Sequence, residues 1–294
     1  MNNYSGKSYI KFWGVRGSNP TPDKNKMQFG GDTSCVEIRT KNNGLIILDM
    51  GTGLRNLGKQ IVEDDTYPSE INIFLSHYHW DHIMGFFYFA PLYDSKFTIN
   101  IHGYNGKASI KDLTEALINK NFWPVDESTY KAKINFIELD KATNKEKLIK
   151  INKSVIYYSI HPHPNGANSF KIETNNKKIV YITDCEHPEG KLNPNVISIS
   201  DEADFLIHDS HYTINDLTNH KGWGHSSWKQ AADVSITSRV KNLILFHYSP
   251  EYDDEQIIEI EKNAKKKFDH NGYLASIGKK NEIIFEQAQE LYYN

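Results

Sequence analysis

The chain is poor in cysteine, with only Cys35 and Cys185 among its 294 residues. With two thiols so far apart in sequence, we expect no disulfide framework, and a reducing compartment fits. Long apolar stretches are also missing: the longest, from Phe86 to Tyr93, is interrupted by Pro91 and is too short to cross a bilayer. Residues 1–7 lack the apolar core of a signal peptide. We therefore expect a cytoplasmic protein with no membrane partner.

The chain also lacks a long block of charge of one sign, and its formal net charge is only −3. Tight binding of nucleic acid favours a basic surface, so we expect no stable nucleic-acid partner. Hydrophobic residues make up 38% of the chain, and 17 tyrosines and 14 phenylalanines contribute to this apolar content. This content suffices for a large buried core.

Apolar runs of strand length dominate both halves of the chain, with helical patterns at 108–119, 226–239 and 254–268 between them. No linker rich in Pro, Gly or Ser divides the halves. We predict one domain over 1–294, of the α+β class, built as an αββα sandwich of two mainly antiparallel sheets, with a lid-like insertion around 104–132. The predicted strands lie at 8–13, 34–40, 44–50, 71–75, 97–102, 133–138, 154–160, 168–173, 178–183, 204–208, 242–247 and 282–286.

One short motif concentrates the chemistry. The run His77-Tyr78-His79-Trp80-Asp81-His82 directly follows the apolar strand at 71–75. Imidazole and carboxylate are ligands that zinc and similar divalent metals prefer. A strand end with the pattern H-x-H-x-D-H can supply two ligands to each of two adjacent metals. We assign Trp80 no role beyond packing.

A dinuclear site needs further ligands, and three residues at the carboxyl ends of predicted strands are candidates. His163 lies in a turn between strands, Asp184 follows the strand at 178–183, and His247 ends the strand at 242–247. Loops at one rim of a sheet are where sites commonly form. His161 is the alternative to His163, since either imidazole could face the site.

Together these motifs resemble the metallo-β-lactamase-fold metallohydrolases. The chain is most similar to their phosphodiesterase branch, which includes tRNase Z, the phosphonate-pathway cyclic phosphodiesterase and cyclic-nucleotide phosphodiesterases such as the phage anti-Pycsar enzymes. The resemblance extends over nearly the whole chain and includes the segments 12–18, 30–35 and 48–53.

The resemblance implies two divalent metal ions, zinc in the first place and manganese as the alternative. One ion is expected to take His77, His79 and His163, and the other Asp81, His82 and His247, with Asp184 bridging them. Asp49 is expected to hydrogen-bond one of the ligand histidines rather than to bind a metal itself. A homodimer is also implied.

Two metals suit displacement at phosphorus, and Asp81 or Asp184 can orient the attacking hydroxide. The leaving alkoxide still needs a proton, and the candidate donor is His225 in Gly222-Trp223-Gly224-His225. Asp209 is the candidate carboxylate that orients His225, since a hydrogen-bonded carboxylate fixes an imidazole's tautomer. It stands where tRNase Z-like enzymes have Glu. His208 and His211 are the alternative donors.

The predicted substrate is a 3′,5′-cyclic nucleotide, hydrolysed to the nucleoside monophosphate. RNA 3′ processing of the tRNase Z kind is the alternative, and a lactonase or thioesterase ranks lower. The sequence shows no Gly-rich, basic arm of the kind that grips tRNA, and the net charge is slightly acidic. Phe122 and Trp123 in the lid-like insertion could stack on a base, or could instead pack the insertion onto the core.

Overall fold

The computed structural model describes residues 7–41, 44–103, 108–125, 127–140, 147–268, 271–274 and 282–285. Within them the chain forms two seven-stranded sheets. The strands of the first sheet, in spatial order, are β14 (Glu282–Ile284), β1 (Tyr9–Gly14), β2 (Cys35–Arg39), β3 (Leu45–Leu48), β4 (Glu70–Leu75), β5 (Thr98–Gly103) and β6 (Lys133–Glu138). Those of the second are β13 (Asn271–Leu274), β12 (Asn242–Phe246), β11 (Phe205–Asp209), β10 (Lys177–Ile182), β9 (Ala167–Thr174), β8 (Ser154–His161) and β7 (Lys147–Ile151).

Seven α-helices occur in the same described ranges. They are α1 (Leu54–Glu63), α2 (Trp80–Ile83), α3 (Ile110–Leu117), α4 (Pro194–Ser200), α5 (Ile214–Asn219), α6 (Trp228–Thr237) and α7 (Asp254–Lys267). Short 3-10 helices lie at Lys24–Lys26, Met84–Tyr88, Ala90–Tyr93 and Glu127–Thr129. None of the helices in the described part of the chain combines the length and apolar character that a bilayer crossing requires.

The two sheets pack face to face through apolar side chains. Phe12 of β1 lies 6.2 Å from Phe246 of β12, and Phe74 of β4 lies 5.7 Å from Phe170 of β9, measured between ring centroids. A second buried cluster covers the other face of the first sheet with α1 and α3. Helices α4, α6 and α7 cover the outer face of the second sheet with buried residues such as Ile260. The predicted αββα sandwich is confirmed.

The strand pairing is more mixed than the sequence suggested. Each sheet has three antiparallel and three parallel pairings among its described strands, so "mainly antiparallel" is corrected to mixed. The parallel pairs arise because helix-containing segments link the strands from β3 through β6 and from β10 through β13. A helical crossover returns the chain to the edge where the previous strand began, so the next strand runs parallel.

Parallel pairing brings the ends of several strands to one rim. Asp49 follows β3, Asp184 follows β10, Asp209 ends β11 and His247 follows β12. Asp49, Asp184 and His247 have φ values of 59°, 53° and 62°, a left-handed conformation that non-glycine residues seldom adopt. Such strain clusters at functional sites, where the surrounding structure holds it. The left-handed residues at this rim therefore indicate a functional site.

Most predicted elements are present, and those that were missed are short. The sequence patterns did not indicate α2, α4 and α5, which have four, seven and six residues, or β7 and β13. Elements of this length carry too few turns or alternations for a periodic signal. The turn predicted between β2 and β3 includes residues 42–43, which lie outside the described residues.

Arg16 explains part of the motif at 12–18. Its guanidinium is fully buried and donates to the carbonyl oxygens of Gly30, at 2.9 Å, and Tyr252, at 2.7 Å. It also lies 3.7 Å from a carboxylate oxygen of Asp254. Arg16 thereby joins the loop after β1 to the segment before α7. A buried arginine with several partners cannot be replaced by an apolar side chain without leaving those carbonyls unpaired.

We expect Arg16→Met to lower the free energy of unfolding by about 3 kcal/mol, because several buried carbonyl oxygens lose their donor. Urea denaturation followed by circular dichroism measures the change. The matched control is Arg55→Met on the exposed face of α1, which should change stability by no more than about 0.5 kcal/mol. Equal, small effects in the two variants would contradict this role for Arg16.

Candidate metal centre

The structure brings the seven predicted ligand residues together at one rim of the sandwich. His77, His79, Asp81 and His82 come from the turn after β4 and from α2, on the first sheet. The second sheet supplies His163 after β8, with Asp184 and His247. The candidate ligand atoms fall into groups whose members lie within 4.8 Å of one another: His77, His79 and His163; Asp81, His82 and His247; and His77, His82 and Asp184.

Asp184 lies between the first two groups and presents one carboxylate oxygen to each. Its Oδ1 is 3.8 Å from Nε2 of both His77 and His163. Its Oδ2 is 3.1 Å from Nε2 of His82 and 3.2 Å from Nε2 of His247. Burial alone would raise the pKa of Asp184, but His247 and the other imidazoles hold it well below the ordinary value. The group is therefore an anion that faces two sets of nitrogen donors.

Asp49 determines which nitrogen atoms face this cluster. Its Oδ2 accepts hydrogen bonds from His82 Nδ1 at 2.8 Å, Ser76 Oγ at 2.8 Å and Tyr181 OH at 2.7 Å. Because Ser76 Oγ donates to Asp49, it must accept from His77 Nδ1, 3.0 Å away. Both histidines therefore carry their proton on Nδ1 and present Nε2 as a lone pair. The predicted hydrogen bond from Asp49 to a histidine of the motif is confirmed.

Buried nitrogen atoms without hydrogen-bonding partners indicate that the cluster fits a divalent metal. Nε2 of His77 and Nε2 of His82 are buried and have no hydrogen-bonding partner in the described part of the chain. A buried polar atom without a partner is costly unless a metal or another group compensates it. Nitrogen lone pairs fixed by outer hydrogen bonds, alongside carboxylate oxygens, form a donor set suited to zinc and related metals.

The choice between His161 and His163 is settled by their hydrogen bonds. Both ring nitrogens of His161 are engaged, Nδ1 with Ser169 Oγ at 2.7 Å and Nε2 with Thr183 O at 2.9 Å. His163 instead donates from Nδ1 to Gly224 O at 2.9 Å, and its Nε2 lies 3.1 Å from Nδ1 of His79. His163 is therefore the residue that faces the cluster, as preferred from the sequence.

His225 and Asp209 form the predicted pair beside the cluster. Nδ1 of His225 donates to Asp209 Oδ2 at 3.2 Å and lies 3.7 Å from Asp184 Oδ1. Asp209 is itself held by the backbone N–H groups of Cys185 and His211, at 3.1 and 2.9 Å. Burial alone would lower the pKa of His225, but the hydrogen bond and the charge of Asp209 raise it to about 8. This imidazole can therefore hold a proton next to the candidate metal ligands.

The two alternative donors are placed differently. His211 stacks on His225 with centroids 4.1 Å apart, but its Nδ1 donates to His247 O at 2.9 Å. His208 donates from Nδ1 to the backbone oxygen of Asp209 at 2.8 Å. Neither forms a side-chain hydrogen bond with the Asp209 carboxylate among the described residues, so His225 is the favoured candidate.

A further buried trio, Cys185, His187 and His208, was not anticipated from the sequence. Its possible ligand atoms lie within 4.8 Å of one another. However, His187 Nδ1 accepts a hydrogen bond from the backbone N–H of Asn193 at 3.1 Å, so the proton of the neutral ring is on Nε2. The trio therefore offers a cation two lone pairs at most, on the sulfur and on His208, and we assign no metal to it.

An open cleft of about 820 Å³ adjoins the centre. Its walls include His163, His225, Glu186 and Lys221. A cavity of similar size, about 780 Å³, lies near the start of β10 and contains none of the predicted site residues. The chemistry therefore belongs to the first cleft.

The aromatic residues Phe122 and Trp123 differ in exposure. Phe122 is 75% exposed, whereas the Trp123 ring packs against Phe87 at 4.8 Å and Tyr88 at 5.4 Å between centroids. The sequence offered two predictions for this pair, packing onto the core or stacking on a base. Trp123 packs, whereas the exposed ring of Phe122 is free to stack. Trp80, to which the sequence assigned no role beyond packing, is 54% exposed.

Comparison with known proteins places this geometry in a family. A family model described as the beta-lactamase superfamily domain matches residues 46–248. Ribonuclease Z of Picrophilus torridus is 27% identical, over 94% of this chain and 97% of its own.

Two solved structures share the fold. The metallo-β-lactamase-fold protein YhfI of Bacillus subtilis superposes with a TM-score of 0.71 at 18% identity, covering 95% of this chain and 99% of its own. The short form of human tRNase Z gives a TM-score of 0.63 at 21% identity, covering 91% and 96%. With a family match over most of its length and a donor set that fits divalent metal ions, the chain belongs to the beta-lactamase superfamily and is a metal-dependent hydrolase of the metallo-β-lactamase fold.

Proposed function

We propose that the protein is a phosphodiesterase that cuts RNA, in the manner of a ribonuclease Z. The observation that carries the proposal is the His225–Asp209 pair beside Asp184, with a group of possible metal ligands on each side of that carboxylate. Ester hydrolysis at carbon has less need for such a proton donor than phosphodiester hydrolysis, whose leaving alkoxide is strongly basic. The pair therefore favours a phosphodiester over a lactone or thioester.

The candidate ligands would divide between two divalent ions, zinc or manganese. His77, His79 and His163 would hold one ion, and Asp81, His82 and His247 the other, with Asp184 between them. When bound, the ions would stabilise negative charge on the phosphate oxygens and lower the pKa of a water molecule. Asp81, whose Oδ2 accepts a hydrogen bond from the backbone N–H of Ser18 at 2.8 Å, would orient that water.

His225 would act as the general acid. Its Nδ1–H donates to Asp209, so in the protonated ring the second proton is on Nε2 and can pass to the leaving oxygen. Asp209 would hold the ring in this orientation and keep its pKa high enough for protonation near neutral pH. Donation of that proton avoids the release of a free alkoxide.

RNA is favoured over a cyclic nucleotide by the relatives. Proteins named ribonuclease Z match over most of the chain, including those of Picrophilus torridus, Haloarcula marismortui and Thermoplasma acidophilum. The argument for cyclic nucleotides relied on net charge, on the lack of a basic arm and on the lid-like insertion with Phe122 and Trp123. None of these is a property of the residues that line the cleft. Exposed aromatic side chains such as Phe122 and Trp223 could stack on the bases of a single strand.

A 3′,5′-cyclic nucleotide is the second candidate, because Phe122 could stack on one base as well as on several. If the bond between phosphorus and the 3′ oxygen breaks in either substrate, His225 would protonate the same atom. The homodimer and the cytoplasmic location stay predictions from the sequence.

We expect the metal-loaded protein to cut the 3′ trailer from a precursor tRNA and to leave cAMP, cGMP, cCMP and cUMP intact. Gel analysis of the RNA and chromatography of the nucleotides measure the two activities. Treatment with a chelator should abolish cleavage, and Asp81→Ala should lose both cleavage and bound metal. Hydrolysis of a cyclic nucleotide without RNA cleavage would replace the first candidate by the second.

We expect His225→Ala to lower kcat by about 10²–10⁴-fold, as loss of a general acid does. Its metal content, measured by inductively coupled plasma mass spectrometry, should stay unchanged. His220→Ala is the matched control, because His220 precedes the same loop and its ring hydrogen-bonds only a backbone oxygen of α5 among the described residues. Loss of metal in His225→Ala would instead identify His225 as a ligand.

The pH dependence tests the pairing of His225 with Asp209. Asp209 raises the pKa of His225, so kcat should fall as pH rises and the imidazole loses its proton. In Asp209→Asn that support is removed, the pKa of His225 falls, and the alkaline limb of the kcat profile should move to lower pH. An unmoved alkaline limb in this variant would assign the limb to another group.

A further inference from the structure

Glu186 makes an unusual pair of contacts at the edge of the cleft. It follows the candidate bridging residue Asp184 by two positions. Its Oε1 accepts the backbone N–H of Gly222 at 2.7 Å, and its Oε2 accepts that of Gly224 at 2.8 Å. Two N–H groups on one carboxylate form a charge-assisted pair that fixes geometry as well as adding energy. Glu186 therefore holds the loop that leads into His225.

The loop has little freedom to satisfy these bonds in another way. Gly222 and Gly224 have φ values of 85° and 87°, in the left-handed region that favours glycine. A Cβ atom on Gly224 would lie 2.1 Å from Nδ1 of His163, so no other residue fits there without a rearrangement. The loop therefore requires glycine at position 224, where its backbone lies against His163.

The peptide groups of Gly224 connect Glu186 to both functional histidines. The N–H of Gly224 donates to Glu186, and its carbonyl oxygen accepts from Nδ1 of His163 at 2.9 Å. The next residue in the chain is His225. The backbone N–H of Glu186 also donates to Pro162 O at 3.0 Å, so the loop that carries His163 is attached to the same residue.

We propose that Glu186 is a positioning residue that acts on two groups through Gly224. It keeps the Gly224 carbonyl aimed at His163 Nδ1, which fixes the His163 tautomer with Nε2 towards the candidate metal ligands. It also sets the position from which His225 reaches Asp209. The second effect rests on the proposed function, whereas the first concerns metal binding alone and is measured without any substrate.

The test is Glu186→Gln, which keeps the size of the side chain but replaces one acceptor oxygen by an NH2 group. One of the two glycine N–H groups then loses its acceptor. We expect the affinity of the metal-free protein for Zn²⁺, measured by competition with a chromophoric chelator, to fall by about 10-fold or more, as loss of an outer hydrogen bond does. We also expect kcat to fall by about 10–100-fold with KM changed by less than about 3-fold.

The matched control is Glu189→Gln, three residues along the chain. Glu189 contacts the same loop only from outside among the described residues, by an exposed ion pair of 2.7 Å with Lys221 Nζ. Its loss should leave Zn²⁺ affinity unchanged, since exposed pairs contribute little. Equal behaviour of the two glutamine variants would overturn the proposal.

Amide hydrogen exchange in the metal-free protein separates positioning from unfolding. We expect faster exchange at Gly222 and Gly224 in Glu186→Gln with unchanged exchange in the strands, and no such change in Glu189→Gln. Global acceleration would show a general loss of structure, and the role of Glu186 would then be overturned. If RNA cleavage is not found in the native protein, reduced Zn²⁺ affinity together with faster local exchange in Glu186→Gln still supports the positioning role of Glu186. The proposed function can therefore be wrong while the proposal for Glu186 is right.

Discussion

The buried carboxylate of Asp49 is the interaction on which the rest of the centre depends. It is fully buried, and an unpaired charge in such a place would be strongly destabilising. Its partners come from both sheets: Ser76 and His82 from the first and Tyr181 from the second. The same bonds that compensate the charge also orient two imidazoles and join the sheets at the rim. The same hydrogen bonds therefore stabilise the sandwich and orient the candidate metal ligands.

Asp184 extends this arrangement across the interface between the sheets. The imidazoles on its Oδ2 side come from both sheets, His82 from the first and His247 from the second. Backbone strain of about 1–3 kcal/mol accompanies each left-handed residue such as Asp184 and His247. The apolar core between the sheets offsets that strain and holds the sheets together. Displacement of one sheet would separate the carboxylate oxygens of Asp184 from their nitrogen partners. Apolar residues between the sheets, such as Phe74 and Phe170, thus help to maintain the geometry of the rim.

The sequence predicted what depends on local pattern and missed what depends on distant partners. The H-x-H-x-D-H motif and the strands that lead to it were recognisable because ligand spacing and strand ends are local. His163 was preferred over His161 from the sequence, but the physical reason is that His161 bonds to Ser169 on β9 and to Thr183 directly after β10. The contacts of Glu186 with Gly222 and Gly224 were not predicted, because its partners are backbone N–H groups 36 and 38 residues away. Parallel pairing was underestimated because it depends on which strands become neighbours in the sheet, and the local sequence pattern does not show this.

The same distinction explains why composition pointed to a small substrate. A net charge of −3 averages over the whole surface, whereas a substrate meets only the cleft and its border. There, Lys221 and Glu189 neutralise each other, and exposed aromatic rings such as Trp223 offer stacking without regard to charge. The residues we propose for catalysis would act on any phosphodiester that reached them. Substrate choice therefore resides in the loops that border the cleft, which can differ between relatives while the centre beneath them keeps the same chemistry.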